Sequence, residues 1–271
     1  MWTHLLLAPA LAAAEPIVFS LAGPQDAKAG DTLYTAGDNV RIRKGPSTDA
    51  HVIATVRLGT ALTVQAGEVV HDDIGERASV WLPVKVNGKT GHVWAGALTR
   101  ARLTVDLDED GEDELVTASF NTLGEVVVRT LEPSVEGPEA VGFVKFGPFH
   151  DINGVMERAT LSAVPKAEAG LPLARVETLA GEYCGSGSFF NYVSHRSAAK
   201  GVPGSTRRAL NHRGSGGDSP VWWSTEVAFS PANRQVTITR ESGEDDSTLE
   251  RSVAVLTLHE GVFVAPEASP Q

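Results

Sequence analysis

The chain has 271 residues, 42% of them hydrophobic, and a formal net charge of −11 at pH 7. The charge is uneven, because residues 34–102 hold nine Lys and Arg against six Asp and Glu, whereas residues 103–271 hold 13 against 25. An acidic chain with one weakly basic segment is unsuited to binding nucleic acid, whose phosphates attract clustered positive charge.

The N-terminus carries an apolar run of ten residues, from Leu5 to Ala14, that ends in three alanines before Glu15. A run of this kind predicts a signal peptide at residues 1–14, since it is too short to span a bilayer. We therefore expect an exported protein, periplasmic or extracellular, with no membrane span after cleavage. The alternative is a buried N-terminal segment of a cytosolic protein, because no Lys or Arg precedes the run.

Short β-rich runs follow a polar segment at residues 15–33, which Gly-Pro and Gly-Asp pairs interrupt and which is predicted to be a linker. The glycine and proline content, with few helical repeats, favours an all-β chain with many turns. The predicted strands lie at residues 39–43, 52–56, 61–64, 81–86 and 89–94. The last two are joined by Asn87-Gly88, the pair preferred in a type I′ hairpin turn.

This first β-rich segment carries three motifs in order: N-V-R-x-R-x-G-P-S, V-I-x-T-V-x-x-G-T and W-x-x-V-x-V-N-G-K-T-G-x-V. Over residues 34–101 it resembles a bacterial SH3 (SH3b) domain. The resemblance implies a small barrel that holds peptidoglycan peptides or an envelope protein, and it does not imply catalysis. One departure is the segment at residues 67–79, which is longer and more polar than the usual loop before the tryptophan strand.

Residues 103–265 are predicted to form a β-rich acidic domain, either a single domain or two subdomains, followed by a tail at residues 266–271. Strands are expected at residues 114–120, 125–131, 221–229, 235–240, 253–258 and 262–265. The stretch at residues 201–219 is rich in Gly, Ser and Arg and is expected to be a mobile loop. The predicted fold class is therefore all-β, with an SH3-like barrel ahead of a β-rich C-terminal region.

An acidic run at residues 106–114 is the strongest indication of a ligand site, because seven of its nine residues are Asp or Glu. Alternate residues of a tight loop can direct their carboxylates to one point, and Gly111 supplies the turn that wraps them. Such an all-oxygen cage suits calcium, which tolerates irregular geometry. The predicted ligands are the side chains of Asp106, Asp108, Asp110 and Glu114 and the backbone carbonyl of Glu112.

The run departs from an EF-hand, because Thr117 stands where that motif needs Glu and a strand follows instead of a helix. The pattern D-x-D-x-D-G-x-x-E-L resembles the calcium loop of FG-GAP and VCBS repeats. This resemblance covers about a dozen residues and implies a loop, not a propeller. The alternative is a solvated acidic turn, since such a charge density repels itself unless it is exposed or neutralised.

Cys184 is the single cysteine, which excludes a disulfide within the chain. SH3b domains accompany NlpC-type cysteine peptidases, so a cell-wall peptidase that uses Cys184 is the alternative function. Its glycine-rich setting lacks the helix start that lowers the pKa of a catalytic thiol. His195, His212 and His259 are candidate bases for such an enzyme, but the histidines show no metal-ligand spacing, and most are expected at the surface or in turns. We therefore expect a non-catalytic binding protein of the envelope with no catalytic residues.

Overall fold

The computed structural model describes residues 15–266 apart from residues 76, 135–136, 152–153, 156, 180–186, 198–203, 219–220 and 246. The predicted signal peptide and Cys184 lie outside the described residues. Regular structure is almost entirely β, which confirms the all-β class. Within the described ranges no helix has both the length and the apolar character needed to cross a membrane.

The strands follow one another closely along the chain. The first ten are β1 (Ile17–Ser20), β2 (Thr32–Thr35), β3 (Val40–Arg43), β4 (Val52–Val56), β5 (Ala61–Val64), β6 (Val70–Ile74), β7 (Arg77–Val86), β8 (Lys89–Trp94), β9 (Leu98–Thr99) and β10 (Arg102–Val105). The next seven are β11 (Glu114–Phe120), β12 (Val126–Glu132), β13 (Glu139–Phe146), β14 (His150–Asp151), β15 (Gly154–Val155), β16 (Arg158–Val164) and β17 (Leu173–Leu179). The last are β18 (Phe189–Arg196), β19 (Ser205–Arg213), β20 (Gly216–Asp218), β21 (Val221–Ser230), β22 (Gln235–Glu244), β23 (Ser247–His259) and β24 (Val262–Val264), with one helical turn, α1 (Lys166–Ala169), before β17.

Strands β2 to β9 form the predicted small barrel. Their order in the sheet is β4-β3-β8-β7-β5-β2-β9, and β6 pairs with β7. The inward side chains are aliphatic and buried, among them Leu33, Ile42, Leu62, Leu82 and Val84. The polar segment at residues 67–79 forms β6 and the start of β7, so its extra length adds a hairpin to the barrel.

The turn between β7 and β8 confirms the hairpin predicted from Asn87-Gly88. Both residues have positive φ, 48° at Asn87 and 77° at Gly88. A type I′ turn requires this at both central positions, and its twist matches that of the flanking strands. The hairpin places Trp81 opposite Trp94. Trp81 is buried in the barrel, and its Nε1 donates to Asp72 Oδ2 at 2.8 Å.

Most of the other strands form three packed β-sheets, a central sheet and one sheet on each of its faces. The central sheet has the order β1-β16-β17-β18-β19, and one of its faces packs on the sheet β10-β11-β12-β13. Its other face packs on the sheet β20-β21-β22-β23-β24 through a separate apolar cluster. Strand β17 shows the alternation that this arrangement needs, because Leu173 belongs to one cluster while Ala174 and Val176 belong to the other.

Two segments differ from the sequence-based expectation. The expected linker at residues 15–33 contains β1, which pairs antiparallel with β16 from Ile17 opposite Leu161 to Ser20 opposite Arg158. The barrel is therefore inserted between β1 in the central sheet and β10 in the neighbouring sheet. The expected loop at residues 201–219 contains β19, an edge strand of the central sheet, and β20.

Direct hydrogen bonds hold the barrel against these sheets. Thr99 Oγ1 donates to the carbonyl of Ala118 at 2.7 Å, and the Ala118 amide donates to the Ala101 carbonyl at 3.1 Å. Before the barrel the chain turns at Gly23 with φ of 75°, where a Cβ would lie 2.0 Å from the Ala95 oxygen. Only glycine fits there, because both the conformation and the close approach exclude a side chain.

The barrel boundary has a testable consequence, since β2 begins at Thr32, before the predicted boundary at residue 34. Leu33 is fully buried, and Val64 exchanges backbone hydrogen bonds with Gly30 and Asp31. A fragment of residues 21–101 should unfold cooperatively in urea when followed by tryptophan fluorescence. A fragment of residues 34–101 should have a free energy of unfolding that is lower by about 2–5 kcal/mol, the range for truncating a buried leucine side chain to alanine.

The matched control is Leu33→Ala in the longer fragment, which should lose a similar free energy of unfolding. Equal stability of the two fragments would show that the barrel does not need residues 21–33.

His212 gives the fold a pH dependence. This buried ring on β19 stacks on Phe190 with centroids 4.8 Å apart, and its Nε2 has no hydrogen-bond partner. Burial lowers the pKa of His212 below its ordinary value of 6.5. Between the lowered pKa of His212 in the folded protein and its ordinary value of 6.5, the unfolded chain binds more protons than the folded one. The contribution of His212 to the free energy of unfolding is therefore fully present above pH 6.5 and falls as the pH drops towards the folded pKa.

His212→Phe keeps an aromatic ring and removes the titration. Between about pH 7.5 and pH 5.5, this variant should lose less free energy of unfolding than the wild type in urea titrations. An identical pH slope in both proteins would show that His212 does not titrate with folding.

Candidate functional site

The acidic run forms the turn between β10 and β11. Val105 pairs with Glu114, so the eight residues between them reverse the chain within one hairpin. The reversal uses positive φ angles of 65° at Glu109 and 95° at Gly111. The second angle lies where L side chains are rarely found, which is the role expected for Gly111.

Carboxylates in the turn accept hydrogen bonds from its own backbone. Asp106 Oδ2 accepts from the Gly111 amide at 3.1 Å, and Asp108 Oδ1 accepts from the Asp110 amide at 3.1 Å. Asp108 Oδ2 also accepts from the amide and the hydroxyl of Ser197, which ties the turn to the end of β18. These bonds tie the carboxylates of the turn to its own backbone and to the end of β18.

Glu114 is withdrawn from water at the base of the turn. Its side chain is fully buried, and its Oε2 accepts a 2.5 Å hydrogen bond from the Leu107 amide. Its Oε1 is buried without a hydrogen-bond partner. Burial, more than any other influence, raises the pKa of Glu114 to about 7, and the charges of Asp108, Glu132 and Asp106 add to the rise.

Four carboxylates converge on one point. One oxygen each from Asp106, Asp108, Asp110 and Glu114 lies within 4.8 Å of the other three. Asp106 Oδ1 is buried and, like Glu114 Oε1, has no hydrogen-bond partner. The Glu112 side chain is exposed and outside this group, so its backbone carbonyl stays the predicted ligand at that position.

The donor set fits a hard cation, since oxygen atoms alone face the point of convergence and the unpartnered ones are acceptors. A solvated turn explains residues 109–113, which are all exposed. It does not explain Glu114, because an unpaired buried carboxylate destabilises the fold unless a proton or a cation neutralises it. A calcium ion at the point of convergence would neutralise this carboxylate, so the residues present fit the predicted calcium site.

A second group shares Asp108 and was missed in the sequence. One ligand atom each from Asp108, Glu132 and His195 lies within 4.8 Å of the other two. His195 is buried on β18, so the expectation of a surface or turn position is wrong for this residue. Its partners come from the turn and from the end of β12, and no local spacing in the sequence signals that these elements meet.

The electrostatic setting of this second group follows from its burial. Burial lowers the pKa of His195, and the charges of Asp108 and Asp110 oppose that shift. Burial also raises the pKa of Glu132, and the neighbouring carboxylates of Asp108 and Asp110 add to it. Carboxylates therefore lie beside the His195 ring, and burial opposes the protonation of that ring.

The barrel of β2 to β9 contains a segment that matches a known family. Residues 38–99 match the family model of the bacterial SH3 domain. This match covers less than half of the chain and confirms the SH3b resemblance for that segment. No curated protein and no solved structure matches the chain. The matched family is of a binding type, which suggests that the SH3 domain binds cell-wall components or peptidoglycan. The resemblance of the acidic turn to FG-GAP and VCBS repeats stays a prediction.

Calcium should stabilise the protein through the four carboxylates. Extracellular calcium modules bind at about 10⁻⁴–10⁻³ M, and a tenfold excess over the dissociation constant stabilises by about 1.4 kcal/mol. The melting temperature should therefore rise by roughly 3–6 °C for a unit of this size. Differential scanning fluorimetry, with potassium chloride at equal ionic strength as reference, measures the shift.

Glu114→Gln tests the site directly, because it keeps the acceptor for the Leu107 amide and removes the buried charge. This variant should melt higher than the wild type in EDTA and should gain little from calcium. Glu112→Gln makes the same charge change on an exposed side chain and should keep the wild-type shift. An equal calcium shift in both variants would place the ion elsewhere.

Proposed function

We propose that this protein is an exported, non-catalytic binding protein of the bacterial envelope. Its SH3 domain engages cell-wall peptides or a partner protein, and calcium orders the turn at residues 106–114. Two observations support this: the family match at residues 38–99 and the buried, unpartnered carboxylate oxygen of Glu114. The second carries the calcium proposal.

Strand β11 connects the two parts of the proposal. It begins at Glu114, and four residues later Ala118 makes the hydrogen bonds to Thr99 and Ala101 that hold the end of the SH3 domain. A cation at Glu114 therefore fixes the strand that positions the barrel. Calcium acts in this proposal as a structural ion, which sets the orientation of the binding domain without touching its ligand.

The charge of the barrel suits acidic wall peptides. Its surplus of basic residues includes Arg41, Lys44, Lys85 and Lys89, all exposed. Peptides that carry carboxylates would be attracted to such a surface, and salt would screen the attraction. The rest of the chain is acidic, so the attraction is confined to the SH3 domain.

Binding to purified peptidoglycan sacculi tests the proposal. The protein without residues 1–14 should cosediment with sacculi, and more of it should bind with calcium than with EDTA. Arg41→Gln with Lys44→Gln should bind about two- to thirtyfold more weakly, since exposed charge pairs contribute roughly 0.2–1 kcal/mol each.

The matched control is Arg158→Gln with Arg234→Gln, which removes two exposed basic residues outside the barrel and should bind like the wild type. If the barrel variant still cosediments and the control variant does not, binding belongs to the sheets outside the barrel. Absence of binding to sacculi would leave a protein partner as the ligand class and contradict the wall-peptide proposal.

A further inference from the structure

His195 is held with one specific ring nitrogen free. The side chain has no exposed surface, and Nδ1 lies 3.0 Å from Thr206 Oγ1. The Thr206 hydroxyl also lies 3.0 Å from Thr130 Oγ1. When Thr206 donates its hydrogen to Thr130, it accepts from the histidine, so that Nδ1 carries the proton and Nε2 carries a lone pair.

This lone pair faces acceptors. Nε2 lies 3.4 Å from Glu132 Oε1, yet without the geometry of a hydrogen bond, and it has no other partner. Asp108 completes the group within 4.8 Å. Three electron-rich atoms that converge beside a buried ring, two of them on half-buried carboxylates, repel one another unless a cation lies between them. Protonation of the ring is the competing solution, and burial opposes it.

The surrounding fold keeps this arrangement in place. Gly142 on β13 lies opposite Thr130 on β12, and a Cβ on Gly142 would lie 2.3 Å from Thr206 Oγ1. The missing side chain is what lets the Thr206 hydroxyl reach both Thr130 and His195. A histidine that binds a metal usually donates its other ring N–H to a fixed acceptor, and the Thr206 hydroxyl would be that acceptor here.

We propose that Asp108, Glu132 and His195 form a transition-metal site, for which zinc is the probe. An imidazole ligand favours zinc or a neighbouring first-row ion over calcium, whose ligands are oxygens. Three protein ligands leave one position for water, as in open zinc sites. Asp108 and His195 are also among the residues that line a surface cavity of about 510 Å³.

This inference goes beyond the proposed function and depends on Glu132 and His195, which the calcium site does not use. Asp108 is common to both groups. The Ser197 contacts to Asp108 hold this shared carboxylate between the two groups.

Zinc titration of the EDTA-treated, dialysed protein without residues 1–14, in competition with a chromophoric chelator, measures the affinity. His195→Gln and Glu132→Gln should each weaken zinc binding at least about 100-fold, the upper end of what an outer-shell partner contributes. Thr206→Val should weaken it about 10- to 100-fold, because it frees the ring from its hydrogen bond. His212→Gln removes another buried histidine of the same sheet and should bind zinc like the wild type.

A measurement on the unsubstituted protein covers the case in which these variants do not fold. In ¹⁵N-histidine-labelled protein, the His195 ring should show the Nδ1–H tautomer without metal, and one equivalent of zinc should shift its Nε2 resonance. A zinc-induced shift confined to other histidines, or the absence of zinc binding, would overturn the inference.

The two metal proposals fail separately. His195→Gln should keep the calcium shift of the melting temperature, and Glu114→Gln should keep the affinity for zinc. If calcium still stabilises the protein but zinc does not bind at His195, only the transition-metal site is wrong. If zinc binds and calcium has no effect, only the calcium site is wrong. Loss of zinc affinity in Glu114→Gln, equal to that in His195→Gln, would also overturn the separate transition-metal site.

Discussion

The burial of the Glu114 carboxyl is the constraint around which this part of the molecule is organised. A carboxylate out of water needs a proton, hydrogen-bond donors or a cation, and the Leu107 amide supplies a donor to one oxygen only. Asp106 and Asp108 in the same turn make the charged form of Glu114 less favourable in the metal-free protein, because their carboxylates repel it. Since Glu114 begins β11, the way in which its charge is balanced affects the strand on which the SH3 domain rests.

The central sheet gives the fold a second organising feature. Both of its faces are buried, so its strands must present apolar side chains on alternate positions to two different cores. Buried polar residues on such a sheet need partners in it or in the layer that covers it, and the contacts from His195 to Thr206 and on to Thr130 on β12 are one example. The ring of His195 therefore owes its orientation to packing between layers, not to the turn that supplies Asp108.

Local sequence patterns predicted the parts of the structure that form locally. Asn87-Gly88 requires two positive φ angles, which only one hairpin type satisfies, and the barrel follows from such turns and short alternating runs. The acidic turn was equally accessible, because four of its carboxylates lie within nine residues. The strand at Glu114–Phe120 was placed correctly because a turn precedes it and β-branched and apolar residues fill it.

What could not be predicted depends on contacts between distant residues. Strand β1 lies in a polar segment, and only its pairing with β16 makes it a strand, with Ile17 opposite Leu161. Strand β19 was not predicted, because its segment is rich in Gly, Ser and Arg, although Ala209 and Leu210 on this strand are buried. His195 and Glu132 are brought together by sheets that pack face to face, and no spacing along the chain reports such packing.

The insertion of the barrel between β1 and β10 also has a mechanical meaning. A domain at the end of a flexible linker transmits a pull to one attachment point, whereas this barrel is attached to two sheets. The connections to the barrel follow β1 after Ser20 and precede β10 at Arg102. Tension directed along these strands, on a barrel that is bound to a stiff cell wall, would load the backbone hydrogen bonds of β1 and β10 in shear, so that they resist together instead of opening one by one.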